Sequence, residues 1–360
     1  CIAVIISNYP QVKQEPYSET IYENHMNSNM LEPDRTIPIA WWCIIAIISI
    51  NLAWAHQTIL IKMIDITNYY NFNVEPPFSY RILPAIIYRI FFFGNGEIKS
   101  GLNEPLNSSY QAFQLILDSV SLSILAYVMY LIACNVNTTV RPRVIFVFSI
   151  STFLMIIVFG YFMVPNRALF YPYDFTELAL TAMIIYLCSR RSARDVMLFP
   201  LIIFFGTLNK ETAIFFLGLR IALIADSSAN KTRINFIVFA SLAAAVAARL
   251  IAIKLSRPFD GYEFSIQHQY ILQLPYTIQQ LTNPILLFAM TGIFSYLYFP
   301  LIFLRKNLNK TDTIVVVMVL LWSSIMVTVG IIRELRIFAP ASLLLFFVIS
   351  RRLSFLLEKL

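Results

Sequence analysis

The stretch LFPLIIFFGTLNKETAIFFLGLRIAL, residues 198–223, sets two continuous apolar runs on either side of Asn209-Lys210-Glu211-Thr212. Neither run reaches the roughly 20 apolar residues with which a helix crosses about 30 Å of hydrocarbon. Lipid offers no hydrogen-bond partner to exposed backbone and no counter-charge to a lysine or a glutamate. A polar junction at that depth is tolerated only inside protein or beside a wet cavity. The chain is therefore expected to be a membrane helix bundle with solvated polar groups within it.

The rest of the chain agrees. Hydrophobic residues make up 58%, charged residues 13%, and mean hydropathy is +0.70, against roughly 45–50% apolar and 25% charged in soluble domains. That balance excludes an ordinary soluble enzyme. Aromatics at 15% exclude a disordered chain, and four cysteines scattered over 360 residues, without metal-ligand spacing, exclude a disulfide scaffold. About ten apolar segments follow, near 37–56, 111–134, 143–164, 174–188, 196–207, 211–225, 233–254, 283–304, 313–332 and 337–350. The expected fold is an all-α polytopic transmembrane bundle of about ten membrane segments, two of them short, with amphipathic helices in the first outer loop. Residues 37–350 form the membrane domain, 1–36 a polar lead-in and 351–360 a cytoplasmic tail. The opening at Cys1 on a short apolar run is read as a truncated amino terminus rather than a lipidated one.

The net charge of +7 would suggest a nucleic-acid partner in a soluble protein. Here strict alternation of the spans sorts it by side. One set of loops, including Arg141, Arg190, Arg220, Arg305 and Arg351, holds fourteen bases against four acids, and the other set holds ten bases against nine acids. Cations accumulate on the cytoplasmic side, so both termini are expected inside and no nucleic-acid partner is implied. The long loops 57–110 and 255–282 then lie outside, where long aromatic loops of mixed charge are expected to carry function.

Within the first outer loop, Asp65 is the first carboxylate. A positioned carboxylate can take the proton of a hydroxyl, and a solvated surface acid explains the residue equally simply. Tyr80 and Arg81, in PPFSYRILP, suit either a grip on a phosphate by parallel hydrogen bonds or an anchor at the headgroup level. Asp174 opens a span, as an N-cap or as a reactive acid, while Glu177 sits one turn inside hydrocarbon and demands a wet cavity or a cation. Asp118 poses the same demand. Asn209, Lys210 and Glu211 either neutralise one another, pair with other spans, or meet an anionic headgroup, with Glu211 orienting the lysine or coordinating a cation. Arg257 and the set Arg333, Glu334 and Arg336 complete the outer candidates. His25, His56 and His268 show no metal-binding spacing, and no metal site is expected from the residue pattern.

The order of PPFSYRILP, YPYDFTELAL before Arg190-Arg191, GTLNKETAIFFL and IIRELRIFAP resembles the bacterial-type polytopic membrane proteins of the GT-C glycosyltransferase superfamily, over residues 37–350. The resemblance implies transfer of a sugar from a polyprenyl-phosphate carrier to an extracytoplasmic glycan, lipid or protein acceptor, with inversion at the anomeric carbon. It implies residence in a bacterial inner membrane, among membrane lipids. Asp65 matches the family's catalytic acid by location alone, standing apart from Tyr69 and Tyr70 where many members carry adjacent acids or a close acid and tyrosine. Asp174 is the second candidate. Arg81, Lys210, Arg333 and Arg336 resemble cations around a lipid phosphate, and a divalent cation stays open as a cofactor. The alternatives are a transporter or flippase of lipid-linked saccharides, for which Asp118, Glu177 and Lys210 would line a path, and an O-antigen polymerase or ligase.

Overall fold

The computed structural model describes residues 37–59, 61–62, 66–74, 81–92, 109–137, 139–162, 169–190, 193–225, 231–256, 284, 300–302, 304, 308–329 and 338–359. These residues are helical almost throughout. In chain order they form α1 (Ile39–Ile59), the two-residue strand β1 (Ile61–Lys62), α2 (Ile66–Tyr70), α3 (Leu83–Phe91), α4 (Ser109–Val136), α5 (Pro142–Ile157), β2 (Leu169–Phe170), α6 (Asp174–Ser189) and α7 (Ala193–Asn209). A 3-10 turn over Glu211–Phe215 leads into α8 (Phe216–Ala225), followed by α9 (Lys231–Leu255), α10 (Lys310–Val329), α11 (Ala339–Arg351) and α12 (Leu353–Lys359).

Four of these helical stretches are long and apolar enough to cross a membrane: Ile39–Thr58, Ser109–Val136, Pro142–Phe162 and Phe236–Leu255. Their outward faces carry the signature of contact with hydrocarbon. On α1, Trp41, Ile44, Ile47, Ile50 and Trp54 are exposed, and on α9 so are Phe236, Phe239, Leu242, Val246, Leu250 and Ile253. That three-to-four-residue spacing makes one continuous apolar stripe on each helix, the reverse of a water-facing surface. These features mark a membrane protein.

The other expected spans are not among these four. Residues 174–188 correspond to α6, which at 16 residues rises about 24 Å, and 337–350 to α11, which at 13 residues rises about 20 Å. Both helices are buried on nearly every face, so neighbours rather than lipid surround them and neither has to match the bilayer alone. The segments 196–207 and 211–225 become α7, the 3-10 turn and α8, and 313–332 becomes α10. The lead-in 1–36, most of the segment 283–304 and the loop 255–282 lie outside the described residues.

The break read from residues 198–223 is present. Lys210 stands extended between the end of α7 and the 3-10 turn, its amide donating to the Gly206 carbonyl at 2.7 Å. The turn folds back so tightly on α7 that a methyl group built on Gly206 would lie 2.8 Å from Ala213 Cβ, so the close approach requires glycine. On its other side α7 packs against α9, which buries Ser241, Ala245, Ala248 and Ala252. Small side chains at that spacing let helix backbones approach closely.

One end of the bundle is tied by arginines. Arg220, buried on α8, donates through Nη1 to the carbonyls of Leu187, Cys188 and Arg190 at 2.7, 3.0 and 2.8 Å. These acceptors lie at the negative end of α6, where a cation is favoured. At the same end buried Asp312 receives Arg351 at 2.7 Å and the Nε of Arg352 at 2.8 Å.

Candidate functional site

The polar groups of the opposite end gather around the start of α6. A parallel β1–β2 contact, Ile61 opposite Leu169 and Lys62 opposite Phe170, ties the end of α1 to the chain entering α6. Tyr69, Tyr70, Tyr88, Tyr110, Tyr171 and Tyr173 pack there with Phe113 and Phe170 into one aromatic cluster. The phenols find partners, as buried tyrosine hydroxyls must. Tyr69 donates to the Arg81 carbonyl, Tyr70 to Gln114 Oε1 at 2.5 Å, and Tyr88 pairs with Ser109 Oγ at 2.6 Å. Burial raises the pKa of Tyr69 and of Tyr70 well above the ordinary phenol value, with the Tyr173 phenol and the Tyr69 phenol respectively adding to it, so both stay neutral donors.

Arg81 precedes α3, and its Nη1 donates to Tyr173 Oη at 2.8 Å while the guanidinium lies 5.1 Å from the centre of that ring. Residues 81–92 are anchored on α7 as well, through Ile82 N to Leu208 O at 3.0 Å. Behind Tyr173, Asn209 donates through Nδ2 to the Tyr173 carbonyl at 3.0 Å, whereas its buried Oδ1 accepts no hydrogen bond among the described residues. Lys210 Nζ meets Glu177 Oε2 at 2.7 Å, with the lysine side chain 17% and the glutamate 7% exposed. Thr212 Oγ1 approaches the other Glu177 oxygen at 3.4 Å. Glu177 thus finds a cation from another membrane segment, one of the arrangements its position demanded. Glu177, Thr181, Lys210 and Thr212 line a cavity of about 10 Å³, room for about one water. A cavity of that size does not admit a sugar.

Asp174 is placed differently from an N-cap. The cap position is Tyr173, Asp174 is the first residue of α6, and its carboxylate is 2% exposed and turned into the bundle. It faces His56 Nε2 at 3.9 Å, while His56 Nδ1 faces Asp118 Oδ2 at 3.5 Å. His56 and Asp118 have no exposed surface. The other Asp118 oxygen accepts from Gln114 Nε2 at 2.7 Å, and the same amide nitrogen donates to the Pro172 carbonyl at 2.8 Å. The imidazole packs on Phe175 and Phe170, ring centres 4.2 and 4.7 Å away, with Tyr161 at 6.0 Å. This Asp118–His56–Asp174 set was missed in the sequence, because its members come from three separate helices. The one signal was Asp118, an acid two turns inside a span with no evident partner.

The structure therefore brings Arg81, Asp174, Glu177, Asn209 and Lys210 together at one end of the bundle. Asp65, Tyr80, Arg257, Arg333, Glu334, Arg336 and the side chain of Glu211 lie outside the described residues. Among the described residues, no three His, Cys, Asp or Glu side chains gather as a metal site. Comparison with known proteins yields no matching family model, no matching curated protein and no matching solved structure.

Proposed function

We propose that this chain is a membrane glycosyltransferase that moves a sugar from a polyprenyl-phosphate carrier to an extracytoplasmic acceptor, with inversion. The observation that carries this reading is the gathering of Arg81, Asn209, Lys210 and Glu177 with a ring of tyrosines at one end of a bundle whose sides are apolar. A lipid-linked sugar has the same layout, with an apolar tail in the bilayer, an anionic phosphate at the interface and a polyol beyond it. The arginine-tied end, with Arg190, Arg220, Arg351 and Arg352, is then the cytoplasmic one, which puts the start of α6 outside. Ten membrane segments and cytoplasmic termini belong to this same reading.

In the reaction, Asp65 takes the proton of the acceptor hydroxyl as that oxygen attacks the anomeric carbon. The bond from that carbon to the phosphate oxygen breaks, and the electron pair leaves with the lipid phosphate. Arg81 and Lys210 stabilise the departing phosphate electrostatically, Arg81 with a planar fork and Lys210 as a point charge already oriented by Glu177. Tyr80, Arg257, Arg333, Glu334 and Arg336 join them as binding residues in this reading. Purified protein incubated with radiolabelled polyprenyl-phosphate sugars and a panel of acceptors tests it. A labelled product that Asp65→Asn abolishes is expected. No product across the panel, with an Asp65→Asn variant fully functional in cells, would refute it.

A transporter of lipid-linked saccharides is the second reading, favoured by the Asp118–His56–Asp174 set, since ionisable groups inside a membrane domain commonly mark ion or proton paths. Movement of unaltered substrate across reconstituted vesicles separates it from transfer.

A further inference from the structure

We propose that Asp118, His56 and Asp174 form one proton-binding site inside the bundle, with the imidazole as the bridge between two helices' carboxylates. The inference does not rest on the transferase reading, because it follows from the number of protons that this geometry requires.

His56 comes from the last turn of α1, Asp118 from α4 and Asp174 from the head of α6. Each ring nitrogen faces a different carboxylate, Nδ1 to Asp118 at 3.5 Å and Nε2 to Asp174 at 3.9 Å. A neutral imidazole carries one N–H and one lone pair. In that state one of the two carboxylates faces a donor and the other faces a lone pair. An anion set against a lone pair, with a second anion across the same ring and all three groups buried in a shell of Phe170, Phe175 and Tyr161, is an expensive arrangement.

One added proton removes the conflict in either of two ways. Placed on the ring, it makes an imidazolium whose two N–H groups are directed at two carboxylates. Placed on one carboxyl, it makes an O–H that donates to the acceptor nitrogen. In both forms the set of three carries net charge −1 instead of −2, and the extra proton is shared by the same three side chains. Swinging the ring away does not relieve the conflict, since it would have to leave its packing against Phe175 and Phe170.

The surroundings fix the carboxylates as well. Gln114 holds the far oxygen of Asp118 and is itself held by Tyr70 and the Pro172 carbonyl, so Asp118 Oδ2 is left directed at the ring. Asp174, at the first position of α6, lies at the positive end of that helix. Among the described residues, the titratable or charged groups facing the set are Tyr161 from the segment after α5, Tyr69 and Tyr70 from α2, and Arg81 beyond Tyr69. Tyr69 and Tyr70 stay neutral, and Arg81 stays charged, so across the neutral range the titrating unit is the set itself.

The experiment uses the full chain in lipid nanodiscs, labelled with nitrogen-15 at its three histidines, His56 being assigned by loss of its signals in His56→Gln. Isotope-edited infrared spectroscopy of the same sample reads the carboxyl groups. At neutral pH the expected result is either a His56 ring protonated at both nitrogens or a protonated-carboxyl band that disappears in Asp118→Asn or Asp174→Asn. With one carboxylate replaced by an amide, the extra proton is expected to be lost: a doubly protonated ring falls to a single N–H, or the protonated-carboxyl band disappears. A wild-type ring with one N–H, together with no protonated-carboxyl band sensitive to either aspartate, would overturn the proposal. Should the aspartate variants fail to fold, the wild-type protein still decides: a doubly protonated ring, or a protonated-carboxyl band that shifts with His56→Gln, supports the site, and the absence of both overturns it.

Discussion

The Glu177–Lys210 pair gives a quantitative handle on the turn between α7 and α8. At 2.7 Å, an effective dielectric of about 20 puts the gross attraction near 6 kcal/mol. Much of it offsets the loss of water around both groups, which are largely buried. Removing one partner has a different cost, because the other charge is left in place; that cost is roughly 3–5 kcal/mol for a buried pair. Lys210 retains some access to water, so Glu177→Gln belongs at the lower end, about 3 kcal/mol. Lys210→Met is expected to cost a similar amount. The double variant has no charge to strand and is expected to recover about 2 kcal/mol of the summed loss. Reversible unfolding in mixed lipid and dodecyl sulfate micelles measures all four corners of the cycle. Additivity within about 0.5 kcal/mol would mean that the two charges act independently, and the account of Lys210 as a cation held in place by Glu177 would be refuted.

Gly206→Ala should cost about 1–3 kcal/mol in the same unfolding assay, since the new methyl meets Ala213 Cβ at 2.8 Å, and Ala213→Gly should restore part of it. The raised phenols of Tyr69 and Tyr70 set an alkaline limit. Their contribution is fully present below about pH 10, where the unfolded phenols remain neutral, and is lost as pH rises above it because only the unfolded chain ionises freely. Unfolding followed against pH should therefore show a falling limb that is shallower in Tyr69→Phe/Tyr70→Phe. On α3, Leu83, Ala85 and Tyr88 are buried while Ile90 and Phe91 are exposed, so a Phe91→Trp reporter should be quenched by lipids brominated near the headgroup. Quenching by aqueous iodide alone would contradict an interfacial position for that helix.

The break between α7 and α8 was legible because a lysine and an asparagine between two apolar runs have few tolerable environments. Glu177 was legible for the same reason, down to its need for a cation. The partner of Asp118 was not, because no periodicity links α1 to α4, and His56 at the end of a span reads as a residue near water. Arg220 reads only as one of the cations of the cytoplasmic set, and its closing of the carbonyl end of α6 was not legible. Asp174 fits an N-cap in sequence, where only the backbone angles reveal that Tyr173 holds that place. The lengths of α6 and α11 were legible, but their burial on nearly every face was not. A short apolar run looks the same whether lipid or neighbouring helices surround it, and only the packing tells which.

Binding of a polyprenyl phosphate, without its sugar, tests the account's central claim most directly. Native mass spectrometry or titration calorimetry on the detergent-solubilised protein would compare the natural sequence with Arg81→Ala, whose guanidinium meets Tyr173 beside the start of α6, and Arg352→Ala, at the opposite end. The account predicts that the natural chain and Arg352→Ala bind alike, and that Arg81→Ala binds at least about tenfold more weakly, the loss of about 1.4 kcal/mol expected from one charge-assisted contact. Equal binding by Arg81→Ala, or a loss confined to Arg352→Ala, would place the lipid phosphate elsewhere and contradict the account.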